Sequence, residues 1–197
     1  MYSEQPKQMI EIIWHGRGGQ GVVTASNVLV LSLVNSLYIQ SSPEFGPERM
    51  GAPVEASTRI SNKPINLHCA IESPDYVMVL DSTLLKSEEK VEKIYKFLKP
   101  GGFVFINSPH KIEWPYTYTF DVGGIAEKYL EKRDKCNIAT IGALKKVLDE
   151  LSLFPELSFE SLEQIIRRNF PEDKNPGVAE KNINVMKEVY NAMKIDS

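Results

Sequence analysis

The run Ile10-Glu11-Ile12-Ile13-Trp14-His15-Gly16-Arg17-Gly18-Gly19-Gln20-Gly21 decides how the rest of the chain is read. Ile10 to His15 is a short β-branched and aromatic segment that stops at a glycine, which predicts a buried strand. A helix is predicted from about Gln20 to Leu37, so the glycines fall on a strand-to-helix turn. Gly16, Gly18 and Gly21 satisfy G-x-G-x-x-G in the context that pattern needs. Missing side chains let the backbone approach a ligand, and the free N–H groups and positive pole of a helix start favour phosphate or carboxylate there. Arg17 adds a candidate charge-assisted contact. The plain alternative is that the glycines serve only a tight turn and close helix–strand packing.

A dinucleotide site needs an acid at the end of the second strand to hold a ribose hydroxyl. That strand, Tyr38 to Ser42, ends Gln40-Ser41-Ser42, and Glu44 lies beyond Pro43 in a loop. A phosphate loop of the nucleotide-triphosphatase kind fails too, because no Gly-Lys-Ser or Gly-Lys-Thr follows. The loop itself, Glu44 to Pro53, is rich in Gly and Pro and holds Glu44, Glu48 and Arg49 between two strands. It is expected at the same end of the sheet as the glycine turn, as an anion clamp or as a salt-bridged interface.

Val54 to Ile60 alternates as a half-exposed strand, and Ile65 to Ile71 is expected to pair back as a short antiparallel strand. Tyr76 to Leu80 is a continuous apolar run ending at Asp81, as in a central parallel strand. Ser87 is expected to cap a helix reaching Leu98, which Pro100-Gly101-Gly102 ends. Phe103 to Asn107 and Tyr118 to Val122 supply two further strands. Gly101-Gly102 and Gly123-Gly124 read as turns, the second also as a ligand wall if the sheet brings it beside the first. Gly123 to Leu130 is expected to start helical structure, and helices are predicted near 138–151, 159–170 and 179–194, the second of these three capped by Ser158 or Ser161. The fold class is α/β, a three-layer α/β/α arrangement with a mixed, mainly parallel sheet over residues 10–122 and a helical tail over 123–197 packed on it. One domain of 197 residues is expected.

Composition narrows the function. The chain is 42% hydrophobic and 25% charged with a formal net charge of −3, so a globular core is expected and a nucleic-acid partner is not. The uncharged stretch between Arg17 and Glu44 is broken by Thr24, Ser26, Asn27, Ser32, Asn35 and Ser36, which fall short of the ~18 consecutive apolar residues of a membrane span. Cys69 and Cys136 suit neither a disulfide framework nor a metal site, the N-terminus lacks the features of a signal peptide, and the cytoplasm is the expected compartment. His15 is read as a hydrogen-bonded strand-end residue before it is read as an acid or base. His68 and His110 stand alone. No catalytic residue and no metal ligand is assigned.

The order Trp14 to Gly21, then Pro43-Glu44-Phe45-Gly46-Pro47-Glu48-Arg49-Met50-Gly51-Ala52-Pro53, resembles the gamma subunit of 2-oxoacid:ferredoxin oxidoreductases. The likeness continues through Thr58-Arg59-Ile60, Pro74-Asp75-Tyr76, Asp81 to Leu85, Asp121 to Ala126, Gly142-Ala143-Leu144 and Ala179 to Asn182. The loop is more similar to that of pyruvate enzymes than to that of 2-oxoglutarate enzymes. The resemblance implies a complex of alpha, beta, gamma and delta type subunits that decarboxylates a 2-oxoacid on thiamine diphosphate with magnesium. Electrons then pass through iron-sulfur clusters to ferredoxin, and acyl-coenzyme A is released. It implies that those cofactors sit on partner subunits and that the gamma chain, inactive alone, completes the assembly and helps enclose coenzyme A. The residues it offers for coenzyme A are Gly16, Arg17, Gly18, Gly19, Gln20, Gly21, Glu44 and Arg49. A purely structural subunit with an empty turn is the competing expectation, and an independent dinucleotide-dependent oxidoreductase is a third.

Overall fold

The computed structural model describes residues 9–44, 50–86 and 88–195. β1 (Met9–Arg17) runs into α1 (Val22–Leu33), and β2 (Tyr38–Glu44) and β3 (Pro53–Ser61) follow. β4 (Tyr76–Val79) leads through a short 3-10 turn, Ser82–Lys86, into α2 (Glu88–Phe97) and β5 (Phe103–Asn107). β6 (Thr117–Phe120) precedes α3 (Val122–Leu130), α4 (Asn137–Glu150), α5 (Phe159–Asn169) and α6 (Val178–Ala192).

The strands form one six-stranded sheet in the order β2-β3-β1-β4-β5-β6. β1, β4, β5 and β6 are parallel, and β3 lies antiparallel between β1 and β2. The mixed, mainly parallel sheet expected from the sequence is therefore present. From β1 the chain crosses towards β2, and from β4 it crosses the other way towards β5. Right-handed crossovers in opposite directions must place their helices on opposite faces. α1 accordingly packs on one face and α2 on the other, and the carboxyl ends of β1 and β4 flank the point where the direction reverses.

The two faces are unequal. The main core joins Ile10, Ile12 and Trp14 of β1, Met78 of β4 and Phe105 of β5 to α1 and to the four helices of the tail. A fully buried side chain of this kind contributes about 1.5–3 kcal/mol. A small second core holds Val77, Val79, Val104 and Ile106 against Ile94, Tyr95 and Leu98 of the α2 region and Trp114 of the β5–β6 connection. The helical tail thus packs on the sheet, all on the α1 side.

Several local expectations change. Residues 65–71 form no strand: Gln40 Nε2 donates to the Leu67 carbonyl and Arg59 Nη2 to the Cys69 carbonyl, at 2.9 Å each, in place of a ladder. α1 is shorter than 20–37, because Gly21 as N-cap has a φ of 77° and the helical hydrogen bonds begin only at Ala25 N–H to Gly21 O. Helical structure does start over Gly123 to Leu130, as α3, so Gly123 and Gly124 lie in its first turn and not in a loop turn, where the Asp121 carboxylate accepts the Gly124 N–H at 2.9 Å. Gly101, with a φ of 76°, does turn the chain. Ser158 caps α5 by accepting the Ser161 N–H. Ser87 lies outside the described residues.

Candidate functional site

The glycine turn sits at the reversal point, at the carboxyl end of β1 beside that of β4. In open α/β sheets this crevice is where ligands are held. β1 alternates, so that Ile10, Ile12 and Trp14 face the main core while Glu11, Ile13, His15 and Arg17 point to the opposite face. Gly16 falls on the α1 side, and a Cβ there would collide with the Val22 side chain. Its absence lets the start of α1 close down on the strand end. Gly19 and Gly21 both have left-handed backbones, with φ of 91° and 77°.

Arg17 is anchored by all three guanidinium nitrogens. Nε donates to Asp81 Oδ2 at 3.1 Å, Nη2 to Thr83 Oγ1 at 2.7 Å and Nη1 to the Gly51 carbonyl at 3.0 Å. Gln20 closes the same network, its Nε2 donating to Asp81 Oδ2 at 3.0 Å while its Oε1 accepts the Arg17 N–H at 2.8 Å. Burial alone would raise the Asp81 pKa, but hydrogen bonds from Thr83 and Gln20 and the Arg17 charge outweigh it and hold the carboxyl below its ordinary value. Asp81 is therefore a charged strut between β1 and β4.

The end of the long loop joins this unit. Gly18 N–H donates to Ala52 O at 2.8 Å and Gly51 N–H to Gly18 O at 3.1 Å. The loop's described end thus meets the glycine turn, as the sequence suggested. Glu44 closes β2 opposite Glu55. Its side chain, and residues 45–49 with Glu48 and Arg49, lie outside what the structure describes. Of the eight residues offered for coenzyme A, Gly16 to Gly21 are brought together as one turn.

That turn spends several of its own donors internally, because Arg17, Gly18 and Gln20 N–H groups all have protein acceptors. What it presents is the start of α1, which has no side-chain cap. The N–H groups of a helix's first turn have no partner within the helix. On that side two residues missed by the sequence reading approach. Lys135 Nζ lies 3.4 Å from Gly19 O, and Asn137 Nδ2 lies 3.3 Å from Gly21 O. Lys135 comes from the segment before α4 and Asn137 opens that helix, and no local pattern announced them. Asp81 and Thr83 carried a signal, the acid ending an apolar strand within a quoted motif, but their partners were not legible.

Other residues resolve as structural. His15 Nδ1 pairs across strands with Glu55 at 3.1 Å. Asn107 donates to Leu80 O at 2.9 Å and accepts the Gly123 N–H at 3.0 Å, so the Gly123 region sits at the carboxyl end of β5, two strands from the glycine turn. At the far end of the strands, Arg59 Nε donates to Glu11 Oε1 at 2.9 Å and Lys99 Nζ to Glu11 Oε2 at 2.7 Å. Burial alone would lower the Lys99 pKa, yet the hydrogen bond to Glu11 and the Asp75 and Glu11 charges raise it. Among the described residues no group of three or more His, Cys, Asp or Glu is placed to hold a metal, and no helix is long and apolar enough to cross a membrane.

An open mixed sheet with a glycine-rich strand-to-helix turn at its reversal point defines an α/β domain. Residues 11–192 match the pyruvate ferredoxin/flavodoxin oxidoreductase family, and the chain belongs to it. It is 41% identical to pyruvate synthase subunit PorC of Methanocaldococcus jannaschii, over 94% of this chain and 97% of that one. It is 36% identical to the common gamma subunit of the pyruvate/ketoisovalerate oxidoreductases of Thermococcus kodakarensis, over 93% and 96%. The crystal structure of pyruvate oxidoreductase subunit PORC from Thermotoga maritima superimposes with a TM-score of 0.74 at 29% identity, covering 94% of this chain and 97% of that one. These relatives are subunits of oxidoreductase complexes.

Proposed function

We propose that this chain is the gamma subunit of a cytoplasmic pyruvate:ferredoxin oxidoreductase, and that within it the chain completes the assembly and helps enclose coenzyme A. The complex decarboxylates pyruvate oxidatively, passes the electrons to ferredoxin and forms acetyl-CoA. The observation that carries the reading is full-length likeness to subunits named for pyruvate synthase. Alpha, beta and delta type subunits are its partners, and thiamine diphosphate, magnesium and iron-sulfur clusters belong to them.

The Thermococcus relative is described as common to pyruvate and ketoisovalerate oxidoreductases. A subunit shared by two enzymes cannot be what chooses between their 2-oxoacids, which supports a role at the shared substrate, coenzyme A. The geometry suits that role. The start of α1 offers an anion first-turn N–H groups that have no partner within the helix, together with a positive dipole end, and pyrophosphate is such an anion. The chain's own contribution is then to bind and orient coenzyme A so that its thiol meets the acyl group formed on a partner subunit.

A tagged chain purified from its own cells tests this. It is expected to bring down subunits that reduce ferredoxin with electrons from pyruvate, dependent on coenzyme A. Recovery of the chain with no such subunits would overturn the assignment. Coenzyme A dependence without any effect of changes in Gly16–Gly21 would leave a purely structural subunit.

A further inference from the structure

We infer that Lys135, not Arg17, is the cation that meets the phosphates at the glycine turn, while Arg17 acts as a positioning residue. The inference rests on the coenzyme A reading above and assigns the charges within it. Two features of the fold carry it: which face of the sheet each cation occupies, and what already holds it.

Arg17 belongs to the β1 side chains that alternate away from α1. Ile13, two registers from His15 on that same side, lies beside Val77, and Val77 belongs to the core under α2. The partners of Arg17 confirm the direction, because Thr83 sits in the 3-10 turn that begins the crossover to α2. Its Nε, Nη1 and Nη2 are each within hydrogen-bond distance of Asp81, Gly51 or Thr83. To reach an anion at the start of α1, Arg17 would have to leave those contacts and pass around the strand end. Its charge is matched locally by Asp81.

Lys135 approaches from the other face. It lies in the segment between α3 and α4, and both α1 and α4 contribute to the main core. Its Nζ is 3.4 Å from Gly19 O, which puts an ammonium at the tip of the turn on the side where α1 begins. Asn137, two residues on, fixes this segment against the turn, with Nδ2 at 3.3 Å from Gly21 O. Among the described residues the space at the tip is open: a Cβ built on Gly19 meets nothing within 4 Å. A long, flexible ammonium side chain over a helix start suits a pyrophosphate as a point charge, whereas the planar fork of arginine is here committed to structure.

The test uses the assembled oxidoreductase carrying gamma-chain variants and measures kcat and the KM values for coenzyme A and for pyruvate. Lys135→Ala is expected to raise the coenzyme A KM about ten-fold, the usual scale of one charge-assisted hydrogen bond. The pyruvate KM and kcat stay as in the unaltered complex, and Lys135→Arg restores most of the loss. Gly19→Asp is the second variant. Aspartate enters this left-handed backbone at a cost in strain that the isosteric Gly19→Asn control shares, meets no atom of the described residues there, and sets a carboxylate where the phosphates would lie, so that the difference between the two variants reads the charge. A raised coenzyme A KM in Gly19→Asp with none in Lys135→Ala overturns the assignment of Lys135 and leaves the coenzyme A reading standing. No change in either variant overturns that reading itself. Equal losses for coenzyme A and pyruvate in Lys135→Ala would show a general loosening of the subunit and would also overturn the inference.

Discussion

Arg17 Nε lies 3.1 Å from Asp81 Oδ2, although 64 residues separate them, and this contact ties the end of β1 to the end of β4. Gln20 and Thr83 share the same carboxylate. The glycine turn is therefore shaped from outside as well as by its own backbone. Arg17→Ala and Asp81→Ala are each expected to lower stability by about 1–3 kcal/mol, the range for a hydrogen bond to a charged group. Because both belong to one network, the double variant should lose little more than the worse single one. Urea midpoints of the four proteins decide it, and simple additivity would show that the two side chains act separately.

The same carboxylate makes stability sensitive to acid. The folded-state pKa of Asp81 is lowered from its ordinary value of 3.8. The unfolded chain thus binds its proton more readily than the folded one. The stabilisation is complete above about pH 5 and declines as pH falls through 3.8 towards the lower folded value. Asp81→Asn should flatten this part of the acid limb in a pH series of unfolding midpoints. An acid limb identical in slope to that of the unaltered protein would assign it to other carboxylates.

The parts of the fold that could be read from the sequence were those with short-range signals. The β-branched run of β1, the apolar blocks of β4 and β5 and the glycine spacing each announce themselves within a few residues. The strand expected at Ile65 to Ile71 did not form, because a local segment cannot show whether a sheet edge lies within reach. Side chains of Gln40 and Arg59 satisfy the Leu67 and Cys69 carbonyls instead. Helical structure from Gly123 on was legible, and the Asp121 cap three residues before Gly124 is the local reason that these two glycines open α3 and form no loop turn. The side chains that approach the turn from outside could not be read, because the Lys135 ammonium and the Asn137 amide reach it across 116 residues and nothing periodic links them.

Arg59 illustrates a motif residue whose work is structural. It is 5% exposed and holds Glu11, Gln40 and the Cys69 carbonyl. Removing one partner from a buried ion pair leaves an uncompensated charge, at a cost of about 3–5 kcal/mol. Arg59→Ala should therefore reduce stability by that order, measured by chemical denaturation. Arg59→Met with Glu11→Leu should lose much less, and a double variant as weak as the single one would point to packing.

The two thiols should behave differently. Cys69 is exposed, whereas Cys136 is buried beside Leu80 O, and burial pushes its pKa up to about 11. A thiol reagent at pH 8 is expected to label Cys69 quickly in the folded chain and Cys136 only after denaturation, because the thiolate is the reacting form. Mass spectrometry of the labelled peptides reads this directly. Fast labelling of Cys136 without denaturant would mean that the segment before α4 opens readily, which is the segment that carries Lys135.

Gly142 lies within α4, where its lack of a side chain is set by a neighbour. A Cβ there would strike the backbone carbonyl of Met186 in α6. An ordinary helix interior gains from replacing glycine with alanine, by about 1 kcal/mol. Here the added methyl has to push α6 away, and overpacking a close contact costs about 1–3 kcal/mol. The two effects oppose each other, so the sign of the change is informative. Gly142→Ala is expected to lower the thermal midpoint, and Gly142→Leu to lower it further as the helices part. A rise in the midpoint for alanine would mean that helix propensity wins and that α4 and α6 have room between their backbones.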